Sequence, residues 1–257
     1  MKNSPRLVST FIAVLAFFSQ MGIAAAAEIK VLCAGGFRPA MADLGPQFES
    51  ATGHKLALSF ANLGVGLKRL RGGEAADLVI LPAQGIDALV KEGKAAAGDV
   101  SPLARVGISV AVRKGTPKPD VSSPEAFKRA LLAAKSITYL NPAGGAPSGI
   151  HVAKVLDRLG IATEMKPKTV LVRNHTEMTP LIANGKAELA VTQLPSLMMV
   201  GGVDVVGPLP GDLQQTVVFT AVVMNGAKGA GTAKAFVNFL RTPETVRVLK
   251  ARGMEPG

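Results

Sequence analysis

The stretch Val31-Leu32-Cys33-Ala34-Gly35-Gly36-Phe37-Arg38-Pro39-Ala40-Met41 leaves a folding chain few choices. Residues 29–33 are apolar enough for a buried strand, two glycines break it, and Pro39 suits the first turn of a helix, where its missing N–H costs nothing. That helix carries Leu44 and Phe48 and stops at Gly53, a residue suited to the position just past a helix end. A strand that turns directly into a helix leaves unpaired backbone N–H groups at the strand's carboxyl end. Those groups, with the helix dipole behind them, favour an anion. The pattern returns at residues 56–61, a strand followed by the loop Asn62-Leu63-Gly64-Val65-Gly66 and a helix expected from Leu67. It returns again at residues 136–140, where a Pro/Gly loop over 141–147 leads to a helix start at Ser148-Gly149-Ile150-His151. In open α/β sheets, ligands bind beyond the carboxyl ends of the strands.

The rest of the chain repeats the alternation. Leu78-Val79-Ile80-Leu81 is a continuous apolar run, as expected of a strand buried on both faces. Residues 85–94 form an amphipathic helix, 102–105 are irregular, and 106–112 form another strand. Ser123-Pro124-Glu125 combines a capping side chain, a first-turn Pro and an early acid, and so starts a helix. Strands follow at 169–172, 189–192, 203–206 and 216–224, with a helix over 177–184 and two more over 233–240 and 243–251. Strands alternating with helices predict an α/β protein with mostly parallel sheets. The strands at 107–112 and 217–224 flank a middle block. If the chain crosses to a second lobe at the first and returns at the second, a hinged clamp results. The division expected is residues 28–108 with 221–257 in lobe 1 and 109–220 in lobe 2.

Residues 1–27 read as a secretory leader, with Lys2 and Arg6, an apolar run over 7–18, and Ala24-Ala25-Ala26-Ala27 before the cut. The apolar run is too short to span a bilayer, so no stable membrane insertion is expected. The 257 residues less those 27 leave 230, enough for one or two domains. The formal net charge of +11 becomes +9 once the leader's two basic residues are gone, a balance that invites anionic ligands. There is no Trp and only one Tyr, so the stacking platforms that single-stranded nucleic acid needs are missing, and no nucleic-acid partner is expected. Cys33 is the only cysteine and reads as a small buried hydrophobe at a strand end, within reach of the crevice. His54, His151 and His175 show no metal spacing, and neither a metal nor a cofactor is expected.

With these residues in hand, residues 27–256 resemble the periplasmic substrate-binding proteins of ABC importers, in the molybdate-binding-protein-like group. The likeness rests on the turn after Val31, on Ser59-Phe60-Ala61 and on Gly73-Glu74-Ala75-Ala76-Asp77. It rests also on Asn141-Pro142 with Pro147-Ser148-Gly149-Ile150, and on the ending Phe236-Val237-Asn238-Phe239-Leu240 with Gly253-Met254-Glu255-Pro256. The resemblance implies a two-lobed type 2 periplasmic binding protein fold with two chain crossings. It also implies a small anionic ligand in the cleft, delivery to an ABC permease, and a monomer. The chain departs from the group where a serine is usual: Gly36 stands in the first turn, and Leu63, Gly64 and Val65 stand in the second. Gln193 stands near a usual tyrosine. A buried oxyanion short of donors is costly.

The expected ligand-binding set is therefore Gly35, Gly36, Arg38, Asn62, Gly64, Lys68, Arg69, Ser148, Arg173, Asn174, Thr192 and Gln193. Its arginines grip planar carboxylates with two prongs, so an organic di- or tricarboxylate stands beside a small oxyanion as candidate ligand. The alternative is an enzyme on the same scaffold. The group also resembles aconitate isomerase, which moves a double bond by proton transfer. Such chemistry needs a proton carrier, and His151, His175, Lys68 and Cys33 are the candidates.

Overall fold

The computed structural model describes residues 26–199 and 201–257. The expected leader lies, but for its last two residues, outside them. Strand β1 (Glu28–Ala34) passes through one 3-10 turn, Gly35–Phe37, into helix α1 (Arg38–Thr52), which ends at Gly53. Then come β2 (Lys55–Ala61), α2 (Leu63–Arg71), β3 (Leu78–Pro82), α3 (Ala83–Lys91) and the long β4 (Ser101–Arg113). The middle of the chain gives α4 (Pro124–Ala133), β5 (Ile137–Leu140), α5 (Pro147–Arg158), the single turn α6 (Ala162–Met165), β6 (Thr169–Val172) and α7 (His175–Ala183). It continues with β7 (Leu189–Gln193), a five-residue α8 (Leu194–Met198) and β8 (Val203–Pro208). The chain closes with β9 (Thr216–Val223), α9 (Ala230–Leu240), α10 (Pro243–Ala251) and the short β10 (Glu255–Pro256). No helix among the described residues is long and apolar enough to cross a membrane.

The strands run in the order β2-β1-β3-β9-β4-β7-β5-β6 in one curled sheet, with β8 and β10 also paired to β4. β1 is parallel to β2 and β3, and β5 is parallel to β6 and β7. The expectation of mostly parallel pairing is corrected at the centre, where β4 and β9 pair antiparallel to each other and to their neighbours. β4 also starts earlier than the sequence suggests. Residues 101–105 are strand despite Pro102, and the irregularity shrinks to a register shift between Pro102 and Ala104. An edge or bulge position is where a strand tolerates proline.

β4 is shared. Its first half, through Gly107 opposite Thr216, pairs with β9; from Ile108 opposite Gln193 onward it pairs with β7 and β8. The buried side chains divide at the same point. One cluster draws on residues 29–106 and 217–254, with Phe48 and Phe236 rings 4.7 Å apart and Phe37 and Phe219 5.4 Å apart. Two others draw on residues 108–213, around Phe127 and Tyr139 and around Met178 and Leu197. This is a two-lobed α/β arrangement. At the seam, the Gln214 amide brackets Ile108: its Oε1 accepts from Ile108 N and its Nε2 donates to Ile108 O, both at 2.9 Å. The caps expected from sequence are present, since Ser123 Oγ accepts from Ala126 N at 3.1 Å and Thr242 Oγ1 accepts from Thr245 N at 3.3 Å.

Candidate functional site

Helix starts converge where the two halves meet. The turn Gly35-Gly36 before α1, Asn62 before α2, Pro147-Ser148 opening α5, His175 opening α7 and Gln193 before α8 all border one small pocket. Two of these starts were misplaced in the sequence, and a third, that of α8, was missed altogether. α2 begins at Leu63, not Leu67, so Gly64 lies in its first turn. α7 begins at His175, with Asn174 Oδ1 accepting from Glu177 N at 3.0 Å, and not at Glu177. The earlier start of α2 has a consequence for two candidates: Lys68 and Arg69 fall in its last turn. Lys68 is exposed, and Arg69 turns back to Glu74 (Nε to Oε2, 2.6 Å) and to Ser59 Oγ (3.2 Å). Neither lines the pocket or its neighbour.

The inner pocket is small, about 20 Å³. A volume of that order holds roughly one water. Gln193 fills the space beside Gly36: a Cβ on Gly36 would fall on Gln193 Oε1, with Phe219 also 3.0 Å away. A side chain at position 36 would therefore have to displace the Gln193 amide from this space. Gly35, Ala61, Asn62 and His175 also belong to a second, outer cavity of about 910 Å³. Its other walls include Arg38, Phe60, Arg173, Asn174, Glu177, Ser196 and Met199.

The electrostatics of this outer cavity are basic and mostly internally tied. Arg38 lays its guanidinium over the Phe60 ring, 3.8 Å from the centroid, a cation–π contact that leaves the N–H edge to a ligand. Arg173 is held by Glu177, Nε to Oε1 at 2.7 Å, and its backbone N–H donates to Glu177 Oε2 at 2.9 Å. These bonds hold the Glu177 carboxyl below the usual carboxylate range. Asn62 Nδ2 donates to Arg173 O at 2.7 Å, tying the two halves across the site. His175 Nε2 and Thr192 Oγ1 share a hydrogen bond of 3.1 Å, so the fully buried Thr192 fixes the ring without lining either cavity. Burial first, and the Arg38 charge second, push the His175 pKa down to about 4. At neutral pH the imidazole is uncharged, a proton acceptor at the junction of the two cavities.

The remaining candidates lie elsewhere. Cys33 is fully buried in β1 and lines neither cavity, and burial pushes its thiol well up, so no thiolate forms near neutral pH. His151 sits on α5 with its Nε2 2.7 Å from Leu213 O, outside both cavities. Residues missed in the sequence include Phe60, Glu177, Ser196 and Met199. Ser196 is on α8, a helix too short to leave a periodic signal. Gly64 marks a further contact: a Cβ there would lie 3.1 Å from Gly144 O and 3.3 Å from Gly145 Cα. Gly145 itself has φ +69°, and a Cβ on it would lie 2.9 Å from Gly64 Cα.

Residues 29–255 match the model of the bacterial extracellular solute-binding protein family. The molybdate-binding protein ModA of Azotobacter vinelandii is 31% identical over 236 residues, covering 90% of each chain. An aconitate isomerase of Pseudomonas sp. is 28% identical over 260 residues, covering 98% of this chain and 97% of its own. The solved A. vinelandii periplasmic molybdate-binding protein superposes with a TM-score of 0.73 at 21% identity, over 89% of this chain and 99% of that one. The chain belongs to the bacterial extracellular solute-binding protein family.

Proposed function

We propose that this solute-binding protein captures a small anion, an oxyanion or an organic di- or tricarboxylate, between its two lobes and delivers it to an ABC permease. The observation that carries the reading is the ring of helix starts around Gly36, Asn62, Ser148, His175 and Gln193, opening into a cavity that holds Arg38 and Arg173. Backbone N–H groups and helix dipoles favour negative charge there without a metal. The protein works in the periplasm, as a monomer, after loss of residues 1–27. Residues 28–108 with about 215–257 form one moving lobe, and the residues between them the other. The pairing of all of β9 with β3 and the first half of β4 supports a second boundary nearer 215. A thermal-shift screen of molybdate, tungstate, sulfate, citrate and both aconitates tests this, because a ligand bound only by the folded state raises the melting temperature by mass action. The reading fails if none does.

One observation favours a second reading, an isomerase acting on aconitate. His175 is neutral, oriented by Thr192 and set between the two cavities. In this reading its ring accepts a proton from the carbon at one end of an allylic system, and the double bond shifts. The same proton is then returned to the carbon at the other end, so that no co-reactant is consumed. Arg38 and Arg173 steady the carboxylates. Chromatography of trans-aconitate incubated with concentrated protein decides it: cis-aconitate formation lost in His175→Ala supports the enzyme, and no conversion removes it.

A further inference from the structure

Most polar side chains around the outer cavity are engaged within the protein. Asn62 binds Arg173 O, Arg173 binds Glu177, Asn174 caps α7, and His175 binds Thr192. Two differ. Arg38 lies over a ring face, its charge is felt by His175, and its guanidinium forms no ion pair among the described residues. Ser196 is 5% exposed, and its Oγ is the one buried side-chain polar atom among the described residues without a hydrogen-bond partner. α8, which carries it, packs against β4 and β8 and against α1, the helix that starts with Arg38. A hydroxyl buried without a partner is a standing cost, and such groups in native proteins are rare enough to need a reason.

We propose that Ser196 is a specificity-determining ligand contact: its hydroxyl donates to an oxygen of an anionic group held by Arg38, which makes the outer cavity select an extended organic polycarboxylate over a compact oxyanion. This rests on the anion-binding reading above and names the ligand class and a residue that enforces it. The dimensions agree. With Gln193 against Gly36 the inner pocket admits one small group, whereas the outer cavity, about 910 Å³, is far larger than a tetrahedral oxyanion needs. A ligand with a carboxylate at each end fits the outer cavity, with one end at the mouth of the inner pocket. Ser196 lines the outer cavity together with Met199, which is 46% exposed. A site built around such a hydroxyl discriminates strongly, because a ligand without the matching oxygen leaves it unpaired.

The test is calorimetric titration of the full-length mature protein with citrate and with molybdate, for wild type, Ser196→Ala, Arg38→Ala and the double variant. Citrate affinity is expected to fall about tenfold in Ser196→Ala, with the ligand-free melting temperature unchanged or higher, because the lost hydroxyl had no partner to lose. The double variant is expected to bind citrate no more weakly than Arg38→Ala alone, since both groups hold one carboxylate. An unchanged citrate affinity in Ser196→Ala, or fully additive losses, overturns the proposal. So does a lowered ligand-free melting temperature together with equal loss for both anions, which marks a structural serine. Binding of molybdate but not citrate overturns this inference and leaves the anion-binding reading standing, and binding of neither overturns both.

Discussion

Replacing Gly64 with alanine separates closure from folding. Gly64 lies in the first turn of α2, on one lobe, and faces the Gly144-Gly145 backbone of the other. Within a helix, alanine is better than glycine by about 0.5–1 kcal/mol, so an open Gly64→Ala protein gains that much or keeps its stability. In the closed cleft the added Cβ meets Gly144 O at 3.1 Å and Gly145 Cα at 3.3 Å, which are backbone atoms that no rotamer change can move. Overpacking of this kind costs about 1–2 kcal/mol. If ligand binding requires closure, the whole of that cost falls on affinity, and Kd rises roughly 5- to 30-fold. Gly145→Ala is the contrasting variant. Its φ of +69° penalises any side chain by about 1–2 kcal/mol whether the cleft is open or shut, so it lowers the ligand-free melting temperature as well. Thermal melts without ligand and calorimetry with the anion found in the screen read both quantities. A Gly64→Ala protein that binds as tightly as wild type refutes the closure argument, as does one that loses as much ligand-free stability as Gly145→Ala.

His175 supplies a pH prediction. Its folded pKa of about 4 lies below the ordinary histidine value of 6.5, so the native state resists protonation. Stability is then complete above the unfolded value and lost as pH falls from about 6.5 toward 4, by up to roughly 3 kcal/mol, since one unit corresponds to about 1.4 kcal/mol. Melting temperatures measured between pH 4 and 7.5 are expected to fall less steeply in His175→Gln than in wild type; parallel slopes would count against the argument. Gln193→Ala is expected to enlarge the inner pocket and raise affinity for molybdate or sulfate relative to citrate, as read by competition titration. Cys33, fully buried with its thiol held neutral, is expected to react with iodoacetamide only at the rate of unfolding, so native and urea-treated samples should differ by orders of magnitude in labelling rate.

Much of the architecture was legible because local signals agreed with the fold. The apolar run before Gly35-Gly36, Pro39 in the first turn and Gly53 beyond the last fix β1 and α1, and Ser123 and Thr242 cap the helices they precede. The misreadings have local causes as well. Gly64 and Gly66 made the start of α2 read as loop, and that four-residue error carried Lys68 and Arg69 to the wrong end of the helix. Asn62 gives no side-chain cap to α2, because its amide is committed to Arg173 O, 111 residues away. Antiparallel pairing of β4 and β9 is a property of where the chain returns, which no single window contains. Arg38, Asn62, Arg173, Asn174 and His175 were named from position after a strand, and they share one cavity. Ser196 also follows a strand end, but the five-residue helix that carries it leaves no periodic signal, and its distinguishing property, an unmet hydroxyl, exists only once the chain is folded.

The Gln214 bracket on Ile108 bears on how such a clamp can swing at all. A continuous ladder across the seam would have to tear two main-chain bonds each time the lobes part. Here the Ile108 N–H goes to a side-chain amide with its own rotatable torsions, one residue beyond Gly107, and the Ile108 carbonyl is shared between that amide and Leu209 N at 3.1 Å. If the lobes swing here as proposed, the amide can follow the Ile108 backbone and keep both of its bonds made. In such a pivot one glutamine side chain would share with the sheet the setting of its stiffness.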